Sequence, residues 1–507
     1  MKTFKFILCI HRILGTVLSV LFLMWFLSGF VMMYHTYPSL TEQQRMAHAE
    51  ALSANHPEAP SANHPEAPSA NRPETPSVVY ESAPPIQYPP HLSALSLQQV
   101  AGRPVDTMTD SIGERLYDAR TGRPIKRFSA SELLTIASQW QSPAVPPPVL
   151  LDTLDEIDIW LIGAMPFNEY PIYHYALNDG RGSELYLSSR TGRALQLTDN
   201  RSRFWAWLGA IPHWIYITKL RATGRQPWTD TVLWLSGLGI LMTLSGIVVG
   251  LRSMFLARRR RKSTASTITP YKKTLFRWHH IFGLCFGLFV LTWIFSGFMS
   301  LADAPQLLWP VRGQHSARDI YADSLQPSTF TLSPQRLLQS DNIKKVEWIE
   351  TGHRPYYRVW TAEETYLVDA SDSTARRVTL SADDCGRIVK TAIHHDTPLR
   401  TEMLTSYDNY YVSQHQKLPL PVCRVTADDA DGSTFYINPQ TADCRYYNDN
   451  RRAGKWMYSG LHALNTPFFA RHPMLRQVVM WMLLIGGTAV SLTGLFLAVG
   501  YIRRKLR

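Results

Sequence analysis

Cysteine is scarce in this chain, and the motifs that cysteine and glycine usually build are missing. Only five cysteines occur among 507 residues, and no two are spaced Cys-x-x-Cys. The Cys-x-x-Cys-His pattern for covalent attachment of haem is therefore absent as well. No Gly-x-Gly-x-x-Gly occurs, so no dinucleotide-binding turn is expected. Acid is missing locally. Sixteen of the 52 lysines and arginines fall in three acid-free clusters: Lys2 to Arg12, Arg252 to Arg277 and Arg503 to Arg507. The rest of the chain, which holds all 40 acids, is net negative.

That map explains the formal charge of +12 without nucleic acid. The basic clusters flank apolar runs and form no separate basic domain. Four runs are long enough to cross a bilayer, which takes about 20 apolar residues. They lie near Ile13–Tyr34, Thr231–Leu251, Ile281–Ala302 and Val478–Tyr501. Positive charge concentrates on the cytoplasmic side of membrane proteins. Both termini and the short middle loop are thus expected to be cytoplasmic, and the two long polar stretches extracytoplasmic. The first run is too long for a cleaved signal peptide and reads as an anchor. Cys9 and Cys285 fall in or beside the spans as packing residues. Cys423 and Cys444 are expected to flank a strand pair and to lie close enough for a disulfide, with Cys385 left over.

Residues 37–91 read as a linker. Three eight-residue copies, Ser53–Pro60, Ser61–Pro68 and Ser69–Pro76, are rich in Pro, Ala and Ser and cannot bury a core. His56 and His64 belong to that solvated repeat. A second repeat spans the whole chain. "HRILG…WFLSGF" (11–30) matches "HHIFG…WIFSGF" (279–298). "LYLSSRTGRALQLTDNR" (185–201) resembles "FYINPQTADCRYYNDNR" (435–451), "WLGAIPH" (207–213) resembles "WMYSGLH" (456–462), and "LSGI" (244–247) resembles "LTGL" (492–495). Each half runs span, outer domain, histidine segment, span. The expected fold is an α-helical membrane protein of four transmembrane helices in two pseudo-symmetric halves, with two extracytoplasmic α+β domains. Its divisions are 1–36 (first span), 37–91 (linker), 92–200 (first outer domain), 201–252 (histidine segment and second span), 253–278 (basic loop), 279–302 (third span), 303–450 (second outer domain) and 451–507 (histidine segment, fourth span and basic tail). Capped helices are expected within 129–140, 332–340 and 381–393, and strands at "EIDIWLIG", "PIYHYAL", "PYYRVWT" and "STFYINP".

His11, Gly15, Leu18, Phe22, Trp25 and Gly29 recur every three or four residues and form one helical stripe. His279, Gly283, Phe286, Val290, Trp293 and Gly297 form the same stripe in the third span. An ionisable residue in a span is costly and points to function. A lone histidine reaching headgroup water is the plain alternative. Two repeat-related imidazoles, each a turn from a glycine, suit a flat macrocycle held between helices. Axial imidazole from both sides of a haem iron leaves no open site and favours electron transfer. His213 and His462 form a second repeat-related pair at the outer side. His35 is an alternative outer ligand. It stands 24 residues from His11, about 36 Å along a helix, so the two cannot share an iron. His280 is the alternative inner ligand, outside the repeat register. Trp160, Tyr173, Tyr175, Tyr407, Tyr410 and Tyr411 are a possible docking surface, although strand aromatics more often belong to cores.

On these residues the chain resembles the PepSY-associated transmembrane proteins, among them inner-membrane ferrisiderophore reductases of the ferrioxamine type. The resemblance rests on the twice-used His-x-x-x-Gly…Trp-x-x-Ser-Gly-Phe spans, the "IPHW" and "GLHAL" histidines and the "YLSSRTGRAL" strand-turn units, and covers nearly the whole chain. It implies PepSY-like outer modules in the periplasm, two haem b groups, and delivery of electrons to a periplasmic ferric siderophore or other ferric chelate. The donor is then a separate quinol or cytoplasmic reductase, since no flavin or nicotinamide signature is present. The departures are the proline-rich insert and a shortened first PepSY-like unit around 92–127. The alternative is a non-enzymatic anchor whose outer modules bind a peptide, protease or signalling partner. Transport of the siderophore itself is the weakest reading, because the spans carry almost no acid.

Overall fold

The structure is a computed structural model. It describes residues 2–52, 88–89, 91–164, 166–260, 269–302, 306, 308–311, 313, 315–338, 342–393, 396–413 and 417–507. The octapeptide repeats, Asp303 and residues 261–268 of the basic loop lie outside them.

Among the described residues, four helices are long and apolar enough to cross a membrane. They are α1 (Lys2–Met32), α7 (Gln226–Arg260), α8 (Thr274–Met299) and α14 (Pro473–Lys505). Even the shortest, at 26 residues, is about 39 Å long at 1.5 Å per residue. The helices form a ring. α1 packs on α7 and α14, and α8 packs on the same two, so α1 and α8 stand diagonally opposite. Leu18, Phe22 and Phe26 of α1, Val290, Trp293 and Ile294 of α8, and Met480, Leu483 and Leu484 of α14 fill the centre. Glycines permit the close approach: a Cβ on Gly487 would overlap the Phe26 ring, and one on Gly486 the Phe286 ring. The basic ends gather at one end of the bundle. Arg252 of α7 lies 4.8 Å from the Phe4 ring, and Arg12 of α1 lies 4.9 Å from the Tyr501 ring of α14.

The sheet-bearing part sits beyond the other end. Strands β1–β4 (Ala94–Val100, Arg103–Thr109, Glu114–Asp118, Pro124–Ile125) are followed by helix α3 (Ala130–Ser138) and strands β5–β8 (Val149–Leu154, Ile172–Ala176, Glu184–Ser188, Ala194–Thr198). The same order returns after a short helix α9 (Pro334–Leu337): β9–β12 (Lys345–Thr351, Arg354–Trp360, Thr365–Asp369, Arg377–Val378), α10 (Ala382–Ala392) and β13–β16 (Leu399–Leu404, Val422–Ala427, Thr434–Ile437, Cys444–Tyr447). The first unit is not short in strands: β1–β4 have 7, 7, 5 and 2 residues, as β9–β12 do. β5–β8 and β13–β16 are separate four-stranded sheets. The remaining strands make one eight-stranded sheet, β12-β11-β10-β9-β1-β2-β3-β4. β1 pairs antiparallel with β9, placing Leu95 opposite Trp348 and Gln98 opposite Lys345. The two outer stretches therefore share a sheet.

Two of the three helix caps expected from sequence form, whereas Ser333 before α9 makes no side-chain cap hydrogen bond. Ser129 and Glu132 open α3, and Ser381 and Asp384 open α10. Leu133, Ile136 and Ala137 then pack against Val105 and Leu116 of one sheet and Tyr175 and Leu187 of the other. Cys385, Ile388 and Val389 do the same in the second unit. Four hairpins turn on Thr-Gly or Thr-Ala, with left-handed φ at Gly122 (65°), Gly192 (68°), Ala375 (52°) and Ala442 (57°).

Several expectations are corrected. The linker does not begin at 37. Glu42–His48 is a helix, α2, with a Thr41–Gln44 capping box, a buried Met46, and Arg45 Nε donating to the Ala194 carbonyl at 2.7 Å. The "EIDIWLIG" stretch (156–163) is not a strand, since β5 ends before it at Leu154. Asp158 Oδ1 accepts from Trp160 N at 2.8 Å and bends 158–164 into turns that bury Trp160, Leu161 and Ile162. Cys423 and Cys444 both lie opposite Ile437 on either side of β15, two strand spacings or about 9.6 Å apart, beyond disulfide reach. All five cysteines are free. Trp160, Tyr175 and Tyr411 of the expected docking surface are buried core.

Candidate functional site

The bundle brings His11 and His279 together across its diagonal, with ring centroids 6.2 Å apart. At the sheet-bearing end it brings together His213, which ends α5 (Ala210–His213), and His462, in α12 (Leu461–Ala463), with ring centroids 6.1 Å apart. The other candidates go elsewhere. His35 stacks on Trp205 at 4.4 Å. His280 turns its Nε2 to the Gly250 carbonyl at 3.0 Å and sits beside Tyr271. Among the described residues no group of three or more His, Cys, Asp or Glu is arranged for a metal, so the two pairs stand alone.

Each histidine is oriented through Nδ1 by another element. His11 Nδ1 lies 3.0 Å from the Met242 carbonyl of α7, which can only accept. His279 Nδ1 lies 3.1 Å from Thr493 Oγ1 of α14, with the Val490 carbonyl beside it. The Thr493 hydroxyl donates to Ala489 O at 2.7 Å, so towards His279 it accepts. His213 Nδ1 lies 3.0 Å from Ser28 Oγ of α1, whose proton goes to Met24 O at 2.7 Å. His462 Nδ1 lies 3.0 Å from Ser296 Oγ of α8, whose proton goes to Trp293 O at 2.8 Å. Donor accounting thus gives one tautomer at all four positions: Nδ1 carries the proton, and Nε2 keeps its lone pair. No hydrogen bond to these four Nε2 atoms forms among the described residues. Burial, with the His462 imidazole beside it, pushes His213 down to about 3, and burial lowers His462 too, so both stay neutral.

The surroundings have the same logic. A Cβ on Gly246 of α7 would stand 2.6 Å from the His11 ring, and one on Gly494 of α14 would stand 3.3 Å from the His279 ring. Those glycines seat the imidazoles. On the histidine helices a Cβ at Gly283 or Gly297 would meet nothing within 4 Å, and at Gly15 only Met242 Sδ at 3.9 Å. These three face open space, whereas Gly29 is filled by Leu484 at 3.0 Å. The outer histidines are pinned further. Trp25 Nε1 donates to the His213 carbonyl at 3.0 Å. Ile215 and Leu464, each two residues past its histidine, adopt φ 52°. Left-handed φ is uncommon for any residue with a Cβ and rare for a β-branched one such as Ile215, and only strong surrounding contacts maintain it.

The fit to haem rests on this donor set. Two imidazoles bound to one iron by bonds of about 2 Å hold their ring centroids roughly 6 Å apart. The rings come in pairs at that spacing, with Nε2 free and Nδ1 anchored, as metal-ligating histidines generally are. The residues present fit the group at both places. His11 and Ser28 are 17 positions apart on α1, as His279 and Ser296 are on α8. The pairs therefore stand roughly 25 Å apart along the bundle. Phe22, Trp25, Phe26, Phe289 and Trp293 pack between them.

The serines, Thr493 and the two seating glycines were not singled out in the sequence. Their signal was present, since Ser28 and Ser296 sit in the repeated Ser-Gly-Phe and Gly246 and Gly494 in the "LSGI" and "LTGL" pair. No family model matches the chain, and no curated protein matches it.

Proposed function

We propose that this is a haem-bearing transmembrane oxidoreductase that passes electrons through a membrane to a ferric chelate. The observation that carries the reading is the pairing of four histidines at about 6 Å, every one held as the Nδ1–H tautomer by a second element. His11 with His279 and His213 with His462 would be the axial ligands of two b-type haems, with His35 and His280 outside both sets. Haem at each pair would supply a one-electron couple. The chain fixes both imidazoles of each pair, and a haem held by two of them would have no position left for an exchangeable ligand, which suits transfer rather than binding chemistry.

In this reading the two halves are pseudo-symmetric, and the shared order of strands and helices supports that. The basic end, with both termini, is cytoplasmic in a bacterial inner membrane, and the PepSY-like sheets are periplasmic. A quinol or a cytoplasmic reductase gives up electrons at the basic end. A ferric siderophore or similar chelate at the outer end takes one electron per iron, Fe(III) becoming Fe(II), which hard oxygen ligands hold less well.

The test is a reduced-minus-oxidised spectrum with haem counting, followed by reduction of an external ferric chelate by vesicles carrying the protein. Two haems per chain and chelate reduction are expected. Purified protein without haem overturns the reading. Two haems without reduction of any ferric chelate overturns the substrate.

A further inference from the structure

Near the outer histidine pair an arginine is buried with two of its donors unpaired. Arg221 ends α6 (Thr218–Arg221) and is only 5% exposed. Its guanidinium lies 4.3 Å from the Trp228 ring and 5.4 Å from the Tyr216 ring. Nε and Nη1 are buried and, among the described residues, have no hydrogen-bond partner. Tyr216 is a hydrogen-bond partner of the guanidinium, a second cation, Arg225, stands near it, and among the described residues no carboxylate forms an ion pair with it. Burying an unpaired charge costs several kcal/mol, and buried polar groups are otherwise paired almost without exception. An anion belongs there.

The location says which anion. Tyr216 is three residues past His213, with its ring 5.3 Å from that of Trp214. Tyr216 also acts on the phenol of Tyr458, whose ring lies 5.5 Å from that of His462. Arg221, Tyr216 and Tyr458 thus form a polar rim running to the outer pair. A lipid phosphate would find Arg225, which is exposed, before Arg221, which is shielded by Trp228 and Tyr216. We propose that Arg221 binds a carboxylate of the group held between His213 and His462, namely a haem propionate. The proposal rests on the haem reading above. A guanidinium gives charge-assisted hydrogen bonds to a carboxylate, and Nε and Nη1 are the donors left unpaired here.

The experiment is a potentiometric titration of the purified full chain with the substitutions Arg221→Leu and Arg221→Lys. Haem is counted first, so wild-type protein without haem refutes the haem reading before any variant is compared. Removing a cation beside the carboxylate favours the ferric form. One of the two midpoint potentials is therefore expected to fall in Arg221→Leu, the other to stay, and Arg221→Lys to lie between Leu and wild type. In protein reconstituted with haem dimethyl ester, which has no free carboxylate, the difference between Leu and Lys variants is expected to shrink. Unchanged potentials in Arg221→Leu overturn the proposal. So does a shift that persists in full with the ester, or one that disappears when phospholipid is stripped, which would assign the anion to a lipid headgroup.

Discussion

The two histidine pairs have nearly the same ring spacing, 6.2 and 6.1 Å, yet they are built from opposite materials. The inner pair belongs to the long spans α1 and α8, and the other two spans orient it through Met242 and Thr493. In the outer pair His213 ends a four-residue helix and His462 lies at the end of a helical run over 449–463 whose middle, Trp456–Gly460, is a π-turn, and α1 and α8 orient the two through Ser28 and Ser296. In the first case the long helices present the ligands. In the second they act as the fixed wall against which short segments are held. A long helix holds its own geometry through its backbone ladder. A four-residue helix does not, because the first turn of helix is costly to form, and a π-turn interrupts the ladder of the run that carries His462. The outer pair accordingly shows extra fastening, with the Trp25 bond to the His213 carbonyl and left-handed residues at 215 and 464.

The largest expected effect breaks one pair and spares the other. His11→Ala or His279→Ala should remove one of two haems, and the double variant should lose no more than either single one. His213→Ala and His462→Ala should behave the same way for the other haem. Pyridine-haemochrome counting checks this, and a haem lost by pairing His35 with an outer histidine would break the assignment. The next effect sharpens the inner pair. Gly246→Ala puts a methyl 2.6 Å from the His11 ring, closer than real Cβ contacts come, whereas Gly494→Ala leaves 3.3 Å at His279. Gly246→Ala should alter the haem spectrum or occupancy more than Gly494→Ala, with the outer haem untouched by either. Trp25→Phe should then perturb the outer haem more than the inner one, since it removes the bond to the His213 carbonyl and trims a ring packed on Phe22. A typical net hydrogen bond of this kind is worth about 1 kcal/mol.

Much of this was legible in the sequence, and the reason is duplication. A repeated His-x-x-x-Gly and a basic flank locate the spans and match His11 to His279 without any knowledge of packing. The same holds for the capping boxes of α3 and α10, which are local signals. What escaped was long-range. The alternation in Ala94–Val100 says that it is a strand but not that its neighbour is Lys345–Thr351, some 250 residues later, so two outer domains were read where the strands join into one sheet. Trp160 to Ile162 look like a strand because they are apolar, but Asp158 caps a turn and the burial comes from that fold-back. Cys423 and Cys444 look bridgeable because strand order cannot be read from spacing. Ser28 looks like a small packing residue because its histidine partner is 185 residues away.

The smallest expected effect separates the two ways of orienting an imidazole. Outer-shell hydrogen bonds to a metal-bound histidine typically contribute 10- to 100-fold in affinity or activity. Ser28→Ala leaves the His213 Nδ1–H with the Trp25 carbonyl at 3.2 Å as its remaining acceptor, and Ser296→Ala leaves His462 to the Trp293 carbonyl. Each should weaken retention of the outer haem by about tenfold, the low end of that range, because a poorer acceptor remains. At the inner pair only Thr493→Val is available. His11 is held by the Met242 carbonyl, which no side-chain substitution deletes, and His279 keeps the Val490 carbonyl. Thr493→Val should therefore change inner haem retention by less than either serine variant changes the outer. Competition of each variant with an excess of haem-binding apoprotein measures the dissociation rates. Equal effects at both ends would show that the outer helices are as rigid as the spans, and would remove the distinction between a pair carried by the bundle and a pair fastened to it.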